Sequence, residues 1–325
     1  MIETAMLNRA ELLIRNRDAA KEAFRWNSGL IHLACAGIYT QRGLSCDTAS
    51  LKNTRELLRA SVGVFNSFRS TGEDIFSAML DASGHPAELL EKTLRVYQLL
   101  RDKFMASSYL PMAALVIAEN ADPARYEEIA ARTRVIYERM RKEHPFLTSG
   151  EDSALCALLA MTEKTDDALL SRAEEAYAIL KPHFFDSNMV QTLSHVIALN
   201  DGDCSVLCDR VLALREKFKE SDHRWGYSYE LPMLGTLALD HRTDETIIHD
   251  TIACDDYLKT QSGFGIFSTV SRAQRLMYAA MCTVDAPEFS SVSAATGTIS
   301  AIIAAELATI AAVSAATAAA SSSHS

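Results

Sequence analysis

Glycine and proline are scarce in this 325-residue chain, at 13 and 7 residues. Sandwiches and barrels need those residues at strand connection after strand connection, so a turn-rich β fold is excluded and helices are implied. Basic residues are also short: 32 Lys and Arg face 42 Asp and Glu, for a formal net charge of −10. A groove that tracks phosphates needs the opposite balance, which removes nucleic acid from the expected partners. The sequence has no P-loop, no GxSxG, no HExxH, and none of the DDxxD clusters with which helical terpene synthases hold magnesium. No cofactor and no metal is expected. Paired Asp residues occur at 166–167 and 255–256, on charged helices where a solvated face accounts for them.

Seven cysteines, an odd number scattered mostly through apolar runs, do not make a disulfide framework. Reduced thiols in a cytoplasm are expected. Cys204 and Cys208 have the i,i+4 spacing of ligands but no nearby Cys or His to complete a four-ligand site. The N-terminal stretch mixes Glu3, Arg9, Glu11, Arg15 and Arg17 among its apolar residues, so it does not read as a signal peptide.

What is present is repetition. A bulky aromatic recurs at Trp26, Phe65, Phe104, Phe146, Phe185, Trp225 and Phe264, at intervals of 39, 39, 42, 39, 40 and 39 residues. Each is followed by a short polar opening and an apolar helix, for example Gly29–Tyr39, Leu110–Ala118 and Leu231–Leu239. A more charged helix comes next, starting at Asp or Pro and ending in Lys or Arg, as the helix dipole favours. Tyr97, Tyr137, Tyr177 and Tyr257 share one register of these second helices, as a spine between stacked hairpins would.

The expected fold is all-α: about seven tandem antiparallel hairpins with a period near 40, wound as an α/α toroid or a tightly curved solenoid. Because the two kinds of helix differ in polarity, the apolar ones form the inner layer. One helical-repeat domain over residues 1–285 is expected, followed by an Ala/Ser-rich helix and tail over 286–325. Ile299, Ile303, Leu307 and Ile310 form a helical stripe in that segment, with Glu306 beside it. Ala and Ser give little insertion energy and a central carboxylate opposes it. The segment is therefore expected to pack against helices, within the array or in a homo-oligomer, and not to span a bilayer.

If the apolar helices line the inside, their N-terminal turns gather polar residues at one mouth. The candidates there are Arg69, Glu73, Tyr109, Glu151, Asn188, His195, Tyr229, Glu230, Arg272 and Arg275. Helix starts attract such residues for capping alone, and a histidine on an apolar helix is commonly a hydrogen-bonded core residue. Arg272 and Arg275 stand out, because guanidinium groups on an apolar helix require partners; Glu230, Glu73 or an anionic ligand could supply them. Two functions compete. One is a scaffold whose concave face binds a protein, a peptide or a small polar ligand. The other is an enzyme acting at a toroid mouth on a carbohydrate or another small polar substrate, where paired carboxylates would serve.

The segments GIYTQ (37–41), NTRELLRASVGVFNSF (53–68), SSYLPMAA (107–114), NMVQTLSHVIA (188–198), YELPMLGTLA (229–238), GFG (263–265) and RLMYAAM (275–281) are similar to those of a known family. The chain resembles, nearly end to end, the bacterial family known as domain of unknown function 4003. The resemblance implies an all-helical, cytoplasmic prokaryotic protein of this length. It carries over no activity, cofactor or catalytic residue.

Overall fold

The computed structural model describes residues 3–284, apart from 65, 71, 149, 225–229, 266, 267 and 269. Helices make up the regular structure of these residues, and no strand occurs among them. In chain order they are α1 (Thr4–Ala23), α2 (Gly29–Gln41), α3 (Thr48–Ser61), α4 (Glu73–Ala82), α5 (Pro86–Arg101), α6 (Leu110–Asn120) and α7 (Tyr126–Glu143). Then follow α8 (Ser153–Ala160), α9 (Asp166–Leu180), α10 (Ser187–Leu199), α11 (Cys204–Glu220), α12 (Leu231–Ala238), α13 (Asp244–Lys259) and α14 (Arg272–Thr283).

Two kinds of helix alternate. The even-numbered ones are short and buried on all sides: every residue of α8 and of α12 is out of solvent. The odd-numbered ones bury a single stripe, such as Leu51, Thr54 and Leu58 on α3, or Cys204, Cys208, Val211, Leu214 and Phe218 on α11. Spacings of three and four residues put such a stripe on one face of a 3.6-residue helix. Side-chain caps define many of the starts. Asp47, Asp203 and Ser271 accept from backbone N–H groups of Ser50, Val206 and Gln274, and proline opens α5, α6 and α12.

Each odd helix packs most closely with the even helix that follows it, from α1 with α2 to α13 with α14. The first helix is therefore the partner of α2. Each odd helix also touches the next odd helix, and α13 touches α1. Among the even helices α2 meets α4, and contacts run from α6 through α8, α10 and α12 to α14, which packs on α2. Arg9 of α1 donates to the carbonyl of Val284 at 2.6 Å, and Gln41 of α2 to that of Met281 at 2.9 Å. Helix α12 approaches α10 closely at Gly235, where a Cβ would lie 2.5 Å from Leu193 Cδ1 and 3.2 Å from Val196 Cγ1.

Arginine ties successive pairs together in a way the sequence pattern did not announce. On α7, Arg132 donates through Nε to Asp166 at 2.8 Å and through its terminal nitrogens to the carbonyls of Ala160, Thr162 and Lys164. On α11, Arg210 makes the same set with Asp244, Ala238, Asp240 and Arg242, every residue 78 positions later. The last carbonyls of a helix have no intrahelical donor; each guanidinium meets one of these, on Ala160 or Ala238, together with two carbonyls of the connection that follows.

The aromatic line is only partly a core feature. Phe104 and Phe264 are buried, but Trp26, Phe146 and Phe185 are 97–99% exposed; Phe65 and Trp225 lie outside the described residues. The buried ring at these connections is a near neighbour, Phe24 before Trp26 and Phe184 before Phe185. The tyrosine register does pack: Tyr97 meets Phe68 at 5.1 Å, Tyr137 meets Phe104 at 5.3 Å and Tyr177 meets His144 at 4.7 Å between ring centroids. No helix of the described residues is long and apolar enough to cross a membrane. The Ala-rich segment, with Glu306, lies outside them.

Candidate functional site

The N-terminal turns of the even helices hold the polar side chains that the sequence singled out. At the start of α4, Glu73 receives both forks of Arg59 from α3, at 3.0 and 2.8 Å, and lies 3.6 Å from Arg69. The bonds Arg59 donates to Glu73 hold its guanidinium more firmly charged than usual. Asp74, next along, is buried and accepts from Asn27 and from Arg55 at 3.4 Å, while Arg55 lies over the Phe24 ring. Burial pushes the Asp74 carboxyl up, and the Arg55 charge pulls it back. This corner is a closed ionic cluster linking α3 to α4.

Buried carboxylates recur at the same point of α8 and α12, as Asp152 and Glu230. The three numbers, 74, 152 and 230, are 78 apart, the interval of the arginine clamps. Both residues make interactions of their own, as does the half-buried Tyr109. Asn188 is exposed at the start of α10. The Glu151 side chain and Tyr229 lie outside the described residues.

The two arginines of α14 find partners other than those expected. Arg275 is buried and binds Asp255 of α13 with Nε at 2.7 Å and Nη2 at 3.1 Å, and its third nitrogen donates to the Phe264 carbonyl at 3.1 Å. Glu230 and Glu73 are not its partners. Asp255, read from the sequence as a solvated outer-face residue, is among the least exposed carboxylates of the chain, because α13 turns this side toward α14. Arg272 remains exposed and pairs with Asp222 at 3.8 Å, also donating to its carbonyl. Ligand atoms of His223, Asp255 and Asp256 lie within 4.8 Å of one another. Both Asp255 oxygens are already held by Arg275, so the trio fits an ion-pair network better than a cation.

Helix α10 carries two buried side chains with an unpartnered polar atom, where α12 carries one, Thr236. Gln191 and His195 sit one turn apart, both buried, and each has an atom without a hydrogen-bond partner: Gln191 Oε1 and His195 Nδ1. The other end of Gln191 donates to Thr148 at 3.1 Å. Burial, helped by His144, lowers the His195 pKa to about 3, so the ring is neutral at pH 7. A neutral imidazole beside an amide oxygen can exchange hydrogen bonds with a small polar molecule, but it cannot carry a positive charge there. The cysteines are free thiols. Burial pushes Cys208 up to about 12, with Cys204 adding to the shift.

The sequence reading missed Asp255, the clamp arginines and the exposure of the loop aromatics. The 78-residue spacing of Asp74, Asp152 and Glu230 was available in the sequence, hidden because the aromatic period is half as long.

The family described as "Protein of unknown function (DUF4003)" matches residues 16–308. No curated protein and no solved structure matches the chain. The match covers most of the chain and runs past α14 into the Ala-rich segment, and the chain belongs to this family.

Proposed function

We propose that this member of the family is a cytoplasmic binding protein, built as a closed α/α ring of seven helical hairpins in one domain over residues 1–285. Support for closure comes from the chain's two ends: α13 and α14 pack on α1 and α2, and Arg9 reaches the Val284 carbonyl. Short connections between successive antiparallel helices then put every odd-to-even connection at one end, around the N-terminal turns of the buried helices. That end is the working surface.

One observation carries binding over catalysis. The ionic candidates there are satisfied locally, Glu73 by Arg59 and Arg69, Asp74 by Arg55, and Arg275 by Asp255. The side chains left bare are apolar: Trp26, Met105, Phe146 and Phe185. Acid–base chemistry needs groups aimed at a substrate, whereas recognition needs apolar anchors standing clear of their own fold. Free thiols suit a reducing compartment. A photoreactive residue placed at position 146 or 185 should give adducts in cells, and one at the exposed Val135 on the flank of α7 should not. Equal labelling at all three positions would sink the reading.

A second reading, an enzyme or carrier for a carbohydrate or another small polar compound, is favoured by the unpartnered atoms of Gln191 and His195. A thermal-shift screen against sugars and metabolites tests it, since a ligand at a hundred times its Kd adds about 2.7 kcal/mol. A hit abolished by His195→Leu supports this reading. The Ala-rich helix, Thr296–Ala319, is proposed to seal the array or to pair with its copy in a second chain. Truncation after Pro287 should change the sedimentation behaviour or the melting temperature.

A further inference from the structure

We infer that the end carrying the odd-to-even connections docks on an anionic phospholipid surface, with its apolar tips entering the headgroup region. The inference rests on the ring reading above, which places these connections at one end, and it names the partner of that surface. The most exposed large apolar side chains of the described residues are Trp26, Phe185, Phe146, Met105 and Val64. They lie in five successive odd-to-even connections, one in each, from α1–α2 to α9–α10. Leu44, Val135 and Val206, which lie elsewhere, are each less exposed than any of the five.

A patch that binds a protein brings its anchors together in one place. Here there is one anchor per hairpin, distributed around a ring, so a broad flat partner is what reaches them together. A bilayer interface is such a partner, and Trp and Phe are the rings that settle at headgroup depth. Charge agrees. Lys21, Arg25, Lys103, Arg141, Lys142 and Lys259 flank these connections and make no ion pair among the described residues. At the even-to-odd connections the cations are paired instead, as in Arg42–Glu119, Lys164–Asp201, Arg210–Asp244 and Arg242–Asp240. The six cations at the odd-to-even connections outnumber Glu22, Asp102, Glu143 and Glu220, carboxylates beside the same connections that also make no ion pair among the described residues. An acidic protein thus keeps a surplus of free positive charge beside its bare apolar tips, the combination that anionic lipid recruits. The chain's own Ala-rich segment is not the occupant favoured by this topology, because the chain enters α14 at this end and leaves it at the other.

The test is co-sedimentation of the full chain with vesicles of phosphatidylcholine, alone or mixed with phosphatidylglycerol. Trp26 lies in the first of these connections, so tryptophan emission can be read in parallel. The expected result is binding to the mixed vesicles only, weakened by salt, with emission shifted to the blue. The triple variant Trp26→Ala, Phe146→Ala, Phe185→Ala should lower the partition coefficient by about tenfold or more, since withdrawing even one ring from water is worth that factor. The triple variant Arg25→Glu, Arg141→Glu, Lys142→Glu should abolish binding, and Val206→Ala should leave it unchanged. Failure to bind the mixed vesicles, equal binding to neutral ones, or equal losses in all variants overturns the inference. Cellular adducts at 146 and 185 that contain protein and no lipid also overturn it, and would leave the binding reading standing.

Discussion

The two sets of connections in this molecule are built on opposite principles. The even-to-odd ones are tied down: Arg132 and Arg210 each hold three carbonyls and a carboxylate, and Asp81 accepts from Tyr39, Ser50 and Thr54. The odd-to-even ones expose apolar side chains and leave several cations, such as Arg25, Lys103 and Arg141, without an ion pair among the described residues, although Arg59 and Arg69 pair with Glu73 and Arg272 with Asp222. A connection needed only for stability satisfies its polar groups and hides its apolar ones. The first set obeys that rule, and the second departs from it in connection after connection. On the reading proposed above, the departure marks a surface kept for something other than folding.

The comparison breaks if the two sets respond alike to substitution. The largest effect is expected at the ion pair of the odd-to-even set whose two members are both buried among the described residues, Arg275 with Asp255. Asp255→Ala leaves the Arg275 guanidinium buried and unpaired, at a cost of about 3–5 kcal/mol, measurable as a lowered urea midpoint. Replacing both members, as Asp255→Leu with Arg275→Met, should recover most of that loss. The next effect belongs to the clamps. Arg210→Ala strips several carbonyls of their donor, for a loss of about 2–4 kcal/mol, and Arg132→Ala should match it to within the scatter of the method. A clamp variant as stable as wild type would remove the stabilising half of the comparison.

Much of this organisation was legible in the chain and some was not, for identifiable reasons. Low glycine and proline gave the class, and α2, α6 and α12 begin where the polar-to-apolar switch places them, because capping and burial leave local signals. The aromatic period was legible as a period but not as burial. Phe184 and Phe185 are adjacent and chemically identical, yet the first is buried and the second bare, since the path of the connection decides which one faces inward. The partner of Arg275 was illegible for a similar reason: a carboxylate 20 positions earlier on a charged helix looks solvated until α14 packs against it. For Gln191 and His195 the sequence showed polar residues on an apolar helix. That each keeps an unpartnered atom depends on the absence of a donor or acceptor nearby, and no local pattern encodes an absence.

His195 sharpens the picture through pH. Its folded pKa is depressed to about 3 from a usual value of 6.5, by burial first. Between those values the unfolded chain binds a proton that the fold refuses, so this contribution to stability is complete above about pH 6.5 and is lost as the pH falls toward 3. The melting temperature should therefore drop on acidification through that window. His195→Leu, which removes the titrating ring and fills similar space, should flatten the profile. A variant with the wild-type slope would place the acid sensitivity elsewhere.

The smallest expected effect is the most discriminating. Removing three large side chains from a core would unfold most domains, since each aromatic lost there costs about 3–5 kcal/mol. Trp26, Phe146 and Phe185 make almost no contact with their own fold, as exposures of 97–99% require, so the triple alanine variant should stay within about 0.5 kcal/mol of wild type, the range of ordinary surface changes. Solubility should rise, because alanine presents less apolar area to other molecules. If the variant instead loses stability on the scale of Asp255→Ala, the rings are packing elements, the period of 40 is a core period throughout, and no apolar working surface exists. If stability holds while adduct formation at the ends of the hairpins disappears, these rings were kept for a contact outside the fold. Stability and recognition would then have been assigned to different connections of the same hairpins.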